Sequence, residues 1–354
     1  MPHDTHTTAT RPNDGHAAAG DAVLAPSRAF VVCLVALIVA SVLVGLLFGR
    51  GGVLDFGSEP VLLRMRAHRA LVAFLCGGAL SVAGAVVQTL FRNPLASPQI
   101  LGTTSGATLG AHVALLGSVL LLRGSGVLGI APEMLIPIGA TIGASLSLFL
   151  LLAIVSLREE PLALLLTGFA LMSLFQGAST FLISVNQEAW ELNRAFAALN
   201  QGDISAAGPR QVLLVLVMTV GGVVPVLASS TTLDVLVSGD DEARTLGVDV
   251  SRVRFWLVLW VAILTAGAVA VGGSVGFVGL IAPHALRPWV GQRHRYLVPA
   301  VFAGGGCFVV VCDVLCRLIP LRSGVPVGVL IDLIGAPIFL WLLLRQMRTQ
   351  AEHG

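Results

Sequence analysis

Arg92-Asn93-Pro94-Leu95-Ala96-Ser97-Pro98 and Gly276-Phe277-Val278-Gly279-Leu280-Ile281-Ala282-Pro283-His284-Ala285-Leu286-Arg287 each interrupt a long apolar run. Proline, glycine and charge are unfavourable in a helix that faces lipid. Irregular backbone at membrane depth persists only where protein surrounds it or where it lines a water-filled cavity. Two such breaks in one chain point to a protein that passes a solute through the bilayer.

Composition agrees. Of 354 residues, 56% are hydrophobic and 11% charged, with mean hydropathy +0.91. Soluble domains carry about 25% charged residues. The chain therefore reads as an all-α polytopic membrane protein. It has no lysine, so its 21 basic residues are all arginine. Without a lysine to reach the phosphates there is no P-loop in this chain. A net charge of +2 and the lack of a basic soluble region give no reason to expect nucleic acid. The five cysteines, Cys33, Cys76, Cys307, Cys312 and Cys316, all lie in apolar segments. They read as small buried hydrophobes. Cys312 and Cys316 share a helix face, but no further ligand is near, and no metal site is expected.

A span needs about 20 mostly apolar residues. On that measure helices are expected near 29–49, 68–91, 99–122, 133–156, 161–185, 209–230, 253–274, 278–290, 296–318 and 325–345. These are ten segments, one of which (278–290) is short enough to be a half-helix. Residues 1–27 read as a disordered polar tail with His3, His6 and His16, 28–348 as the membrane domain and 349–354 as a C-terminal tail. The run after the first tail is too long for a signal peptide. The arginines divide about twelve to nine between the two sides, and the Arg244–Arg254 cluster with Arg345 and Arg348 places both ends inside.

Two connections carry structure of their own. Trp190, Phe196 and Leu199 are spaced for a short amphipathic helix on the outer surface. In the inner loop 231–252, Asp240, Asp241 and Glu242 suit a helical first turn and Gly247 a helix end. Compact helices bounded by glycine look like a docking surface for a cytoplasmic partner.

The residues now quoted resemble a known family. Arg66-Ala67-His68-Arg69, Gly77-Gly78-Ala79-Leu80, Gly84, Gln88, the first break and Gly106-Ala107 are similar to the iron-siderophore and cobalamin uptake permeases of ABC importers (FecCD type). So are the second break with Gly291, Asp313 to Arg317, Pro326-Val327-Gly328 and Gly335-Ala336-Pro337-Ile338-Phe339-Leu340. The resemblance runs in order from 29 to 345. It implies a type II importer permease fold, with about ten membrane helices arranged as inverted repeats. The Asn93-Pro94 break would then oppose the Pro283-His284 break. It also implies a dimer of permeases, homo- or heteromeric, in the cytoplasmic membrane of a bacterium. An ATPase pair holding ATP and Mg would sit inside, and a solute-binding protein would dock outside. The permease itself would bind no cofactor and make no covalent bond. Alternating access would follow from ATP hydrolysis in the partner, and the cargo would be a bulky iron chelate, ferric siderophore first, with haem or cobalamin as the alternative.

Residue by residue, the resemblance implies ATPase coupling through Asp241, Glu242, Ala243, Arg244, Leu246 and Gly247. It implies binding-protein docking through Arg66, Arg69 and Arg317, where snorkelling anchors are the simpler reading. Gln88, Arg92, Asn93, Pro94, Gly279, Pro283, His284, Arg287, Asp313, Gly335 and Pro337 belong to its structural motifs. His68 stands where the family usually has proline, and Ala198-Leu199-Asn200-Gln201-Gly202 lacks the usual Gly-Ser-Leu pattern. From the residues alone, His284 reads as a hydrogen-bonded structural histidine, and Asp313 can pair with Arg317 at i, i+4. Asp332 has no partner in its own helix. An ion-coupled transporter would carry acids inside the breaks, and 92–98 and 276–287 have none. A membrane enzyme would need a catalytic constellation, and none is legible.

Overall fold

Each of the ten apolar runs forms a helix. The computed structural model describes residues 28–49, 52–53, 60–122, 132–155, 161–185, 190–205, 207–319 and 324–353. The tail 1–27 lies outside the described residues. The membrane-length elements are α1 (Arg28–Leu47), α2 (Pro60–Leu90), α3 (Thr103–Leu122), α4 (Pro132–Val155) and α5 (Pro161–Val185). After α6 (Trp190–Gln201) comes α7 (Pro209–Ala228), followed by the short α8 (Ser230–Ser238) and α9 (Asp240–Thr245). Then come α10 (Val250–Gly272), α11 (Val278–Val290), α12 (His294–Leu318) and α13 (Val327–His353). A two-residue antiparallel ladder, Phe48–Gly49 with Gly52–Val53, follows α1.

Eight of these helices are long and apolar enough to cross a bilayer. The other two of the expected ten are the 20-residue α3 and the thirteen-residue α11, the latter too short to cross. The fold is an all-α polytopic membrane protein of the type II importer permease kind.

The bundle is built around α2. Its most apolar window is 94% buried, against 11% for α1 and 22% for α5 and α7. Small residues explain this position, because they let backbones approach where lipid gives no hydrophobic drive between helices. A Cβ on Gly84 would meet the Gly279 backbone, and one on Gly77 would meet Gly305 O. On the other side of the bundle, Gly106 and Gly110 of α3 sit on the backbones of Gly143 and Gly139 of α4.

Some elements differ from their sequence reading. α2 begins at Pro60, eight residues before the expected 68. α8 occupies much of the 231–252 loop, and α13 runs through 349–353. The amphipathic α6 is packed into the bundle. Its Phe196 is fully buried and rests on the His112 ring of α3, with centroids 4.3 Å apart. Its end is tied down by Ser274 N–H donating to Leu199 O (2.6 Å) and Gly328 N–H donating to Gly202 O (3.3 Å). The apolar stripe that reads as a surface helix thus finds protein to cover it.

Candidate functional site

The two breaks share a backbone signature. Among the described residues, two non-glycine residues have positive φ: Arg92 (47°) and Phe277 (56°), one in each break. Bulky residues avoid this region unless their surroundings hold them there. In the first break, Asn93 Oδ1 accepts the Leu95 N–H (2.9 Å), closing an Asx turn. Ser97 Oγ then accepts the Ile100 N–H (3.3 Å) as the chain turns toward α3. In the second, Gln99 Oε1 accepts the Phe277 N–H (2.9 Å), and Gln88 Nε2 donates to Gly279 O (3.5 Å). Pro98 also packs on Gly279. The breaks therefore meet through Pro98–Gln99 and Gly276–Gly279, later in the first segment and earlier in the second than the expected Asn93-Pro94 against Pro283-His284.

Asp332, without a partner in its own helix, reaches this junction from α13 and lies against Gly276 and Gln99. An acid does serve the second break, supplied from 56 positions along the chain. The Phe277 ring rests on Gly335 and lies 6.2 Å from Phe339. His284 is half-buried, and the charged groups facing it are Arg287 and Arg345.

At the α9 end, Gly239 (φ 130°) separates α8 from α9, and Gly247 (φ 80°) terminates α9. Val248 N–H donates to Ala243 O and Gly247 N–H to Arg244 O, both at 3.0 Å. This is the paired bonding of a Schellman end. Asp241, Glu242, Arg244 and Gly247 are exposed, and so is Leu246 at 66%. Ala243 is fully buried and belongs to the same apolar cluster as Leu233, Leu236 and Leu90. Of the six residues read as a contact surface, five face outward and Ala243 anchors them. Asp240 is held by Arg254 of α10 (2.7 Å) and lies 3.8 Å from Arg92 of the first break. The first break thus sits beside the short helices.

Asp234 of α8 completes that end. Its Oδ1 accepts from the His294 Nδ1–H (2.6 Å) and from the His294 backbone N–H (2.8 Å), at the first residue of α12. His294 Nε2 lies 2.7 Å from Thr89 Oγ1 at the end of α2. Burial pushes the Asp234 carboxyl up. The hydrogen bonds from His294, with the nearby charges of His294 and Arg293, outweigh this and leave it below its ordinary value. None of these three residues stands out in the sequence. They are 60 and 205 positions apart, so no spacing joins them.

At the opposite end, Asp313 is fully buried between Arg69 and Arg317, each at 2.7 Å. The i, i+4 pairing read from the sequence is present, and Arg69 joins it from α2. Arg317 Nη1 also donates to Gly45 O (3.1 Å) and Phe48 O (3.0 Å), and Arg66 Nη1 to Leu46 O and Leu47 O. These are the free carbonyls at the end of α1, where cations are favoured. The three arginines border a cavity of about 440 Å³ shared with Asp203 and Ser205. The Arg317 side chain is only 5% exposed, against 20% for Arg69.

The FecCD transport family matches residues 28–345. The chain belongs to that family. It is 36% identical over 290 residues to the Fe(3+) dicitrate transport system permease protein FecD of Escherichia coli (strain K12), spanning 80% of this chain and 85% of that protein. It is 37% identical over 302 residues to the cobalamin import system permease protein BtuC of Halobacterium salinarum, spanning 82% and 76%. A solved structure described as an inward-facing, metal-chelate type ABC transporter superposes with a TM-score of 0.74 at 27% identity, covering 89% of this chain and 98% of that one. FecCD membership makes this a non-catalytic transport permease of the metal-chelate class, moving a bulky ligand across the membrane. It implies the usual importer assembly of ATPase, solute-binding protein and paired permease.

Proposed function

We propose that this permease carries a bulky metal chelate inward through the cytoplasmic membrane of a bacterium by alternating access, with both chain ends inside. The observation behind this reading is the family match over almost the whole membrane domain, joined to two opposed breaks with one backbone signature. Ferric siderophore remains the first choice by family frequency. The relatives do not favour it: those named for iron dicitrate and cobalamin stand at nearly equal identity. Haem and cobalamin are therefore equal members of the test. Uptake of labelled ferric citrate, ferric hydroxamate, haem and cobalamin is compared between a deletion strain and the strain carrying this gene. One of these restored by the gene is the expected result; no chelate moved would overturn the reading.

In this reading α9 is the ATPase contact. The exposed Asp241, Glu242, Arg244 and Leu246 offer the surface, and the buried Ala243 makes it rigid with the bundle. Glu242→Arg combined with Gly247→Trp reverses a charge and fills an open site. ATPase association and uptake should both be lost, and their survival would refute the assignment. At the far end, Arg66 and Arg69 bordering an open cavity support docking of an acidic surface of the binding protein.

A further inference from the structure

We infer that Asp234, His294 and Thr89 form a latch that passes movement of the α8–α9 segment to α12 and α2, and that they are positioning residues for transport. This rests on the reading of α9 as the ATPase contact.

The three groups lie in a line: carboxylate, imidazole, hydroxyl. The same order occurs in hydrolase relays, but here no substrate can reach it. Thr89 is 5% exposed and His294 1%. The Thr89 hydroxyl also lies 3.0 Å from Ala85 O of its own helix, to which it can donate. The arrangement is mechanical. A carboxylate only accepts, so the His294 Nδ1 carries the proton, and Nε2 is left to meet Thr89. Asp234 Oδ1 takes the ring N–H and the first N–H of α12 together. It therefore caps α12 from another element and lies at the favourable pole of that helix.

Why this link matters follows from its neighbours. Leu233 and Leu236 hold α8 to the core by apolar contact, which is non-directional and does not fix register. Hydrogen bonds at 2.6–2.8 Å do, since they weaken steeply when misaligned. The ring joins α8 to α12 on one nitrogen and to α2 on the other. α12 and α2 are the helices that carry Asp313 and Arg69 at the far end of the bundle. One buried imidazole thus ties the proposed contact segment to two helices that run the length of the molecule.

The test uses the whole transporter, permease, ATPase and binding protein, in liposomes. The cargo is whichever of ferric citrate, ferric hydroxamate, haem and cobalamin the unaltered protein moves. Asp234→Ala should leave the ATPase bound and hydrolysing while cargo moved per ATP falls about tenfold, the scale of a coupling energy between sites. Asp234→Asn keeps an acceptor oxygen and should restore most of the coupling. Thr89→Val removes the second bond with little change of shape and should uncouple partially, which keeps the test open if Asp234→Ala misfolds. An unchanged ratio in Asp234→Ala and Thr89→Val would overturn the latch. So would loss of coupling in Asp234→Asn as complete as in Asp234→Ala. The underlying reading fails differently: Glu242→Arg with Gly247→Trp would then keep both ATPase association and uptake.

Discussion

Gly84 and Gly279 set the closest approach between α2 and the second break. A methyl on Gly84 would meet backbone atoms of Gly279, which cannot rotate aside as a side chain can. Gly84→Ala should therefore separate α11 from α2 and lengthen the already long Gln88–Gly279 bond. The expected result is a permease that still inserts but has a lowered thermal midpoint in detergent and reduced uptake. By contrast, Gly221→Ala, which meets nothing within 4 Å, should leave both unchanged. At this scale the sequence is a partial guide. Asp313 and Arg317 are legible as a pair because four residues in a helix return to one face. Arg69 joins them across 244 positions, and Asp332 meets Gly276 across 56, so their partnerships exist only once the bundle has closed.

The elements were more legible than their contacts. Ten apolar runs became ten helices because a single segment in lipid satisfies its backbone hydrogen bonds internally only as a helix. The short elements follow weaker signals. α6 shows its apolar stripe in the sequence, but whether lipid headgroups or α3 covers it depends on His112 and Phe196 meeting in space. Likewise α8 has no sequence boundary distinct from α7. It begins within two residues of the end of α7, at Ser230, and stops at Gly239. α9 was legible, since its acidic first turn and Gly247 mark both ends. That end is a sharp place to intervene. An L-residue in the left-handed region costs about 1–2 kcal/mol, and Gly247 has φ 80° with open space around it. Gly247→Ala should loosen the Schellman end without any clash. Helix-end amides Gly247 and Val248 should exchange faster with solvent deuterium while the bundle core is unaffected. The α8–α12 junction responds to acid instead. Asp234 is held below its ordinary value, so its contribution is complete above the usual carboxylate pKa of about 3.9 and is lost as pH falls through the depressed one. Amide protection at the start of α12 should therefore drop in strong acid, and Asp234→Asn should flatten that dependence.

Across the whole molecule, the two ends of α2 and α12 are organised by charge in opposite ways. At one end a carboxylate on α8 meets a histidine and the first N–H of α12. At the other, arginines close the end of α1 and share one buried acid. The three arginines differ in exposure. Arg317 is spent on Gly45, Phe48 and Asp313, and its side chain is 5% exposed. Removing one partner from a buried charged cluster costs on the order of 3–5 kcal/mol. Arg317→Ala should thus act first on stability, seen as a lowered thermal midpoint of the isolated permease. Arg66 and Arg69 border the open cavity and keep donors in reach of a docking acid. Arg66→Glu should weaken capture of the binding protein while leaving the thermal midpoint nearly in place. The loss should shrink as salt rises, because the Debye length falls from about 10 Å at 0.1 M to about 3 Å at 1 M. Binding-protein affinity is measured on liposomes at both salt levels, beside thermal unfolding of each variant. If Arg66→Glu binds as tightly as the unaltered permease at low salt, the arginines serve only to close α1, and docking lies elsewhere on that face.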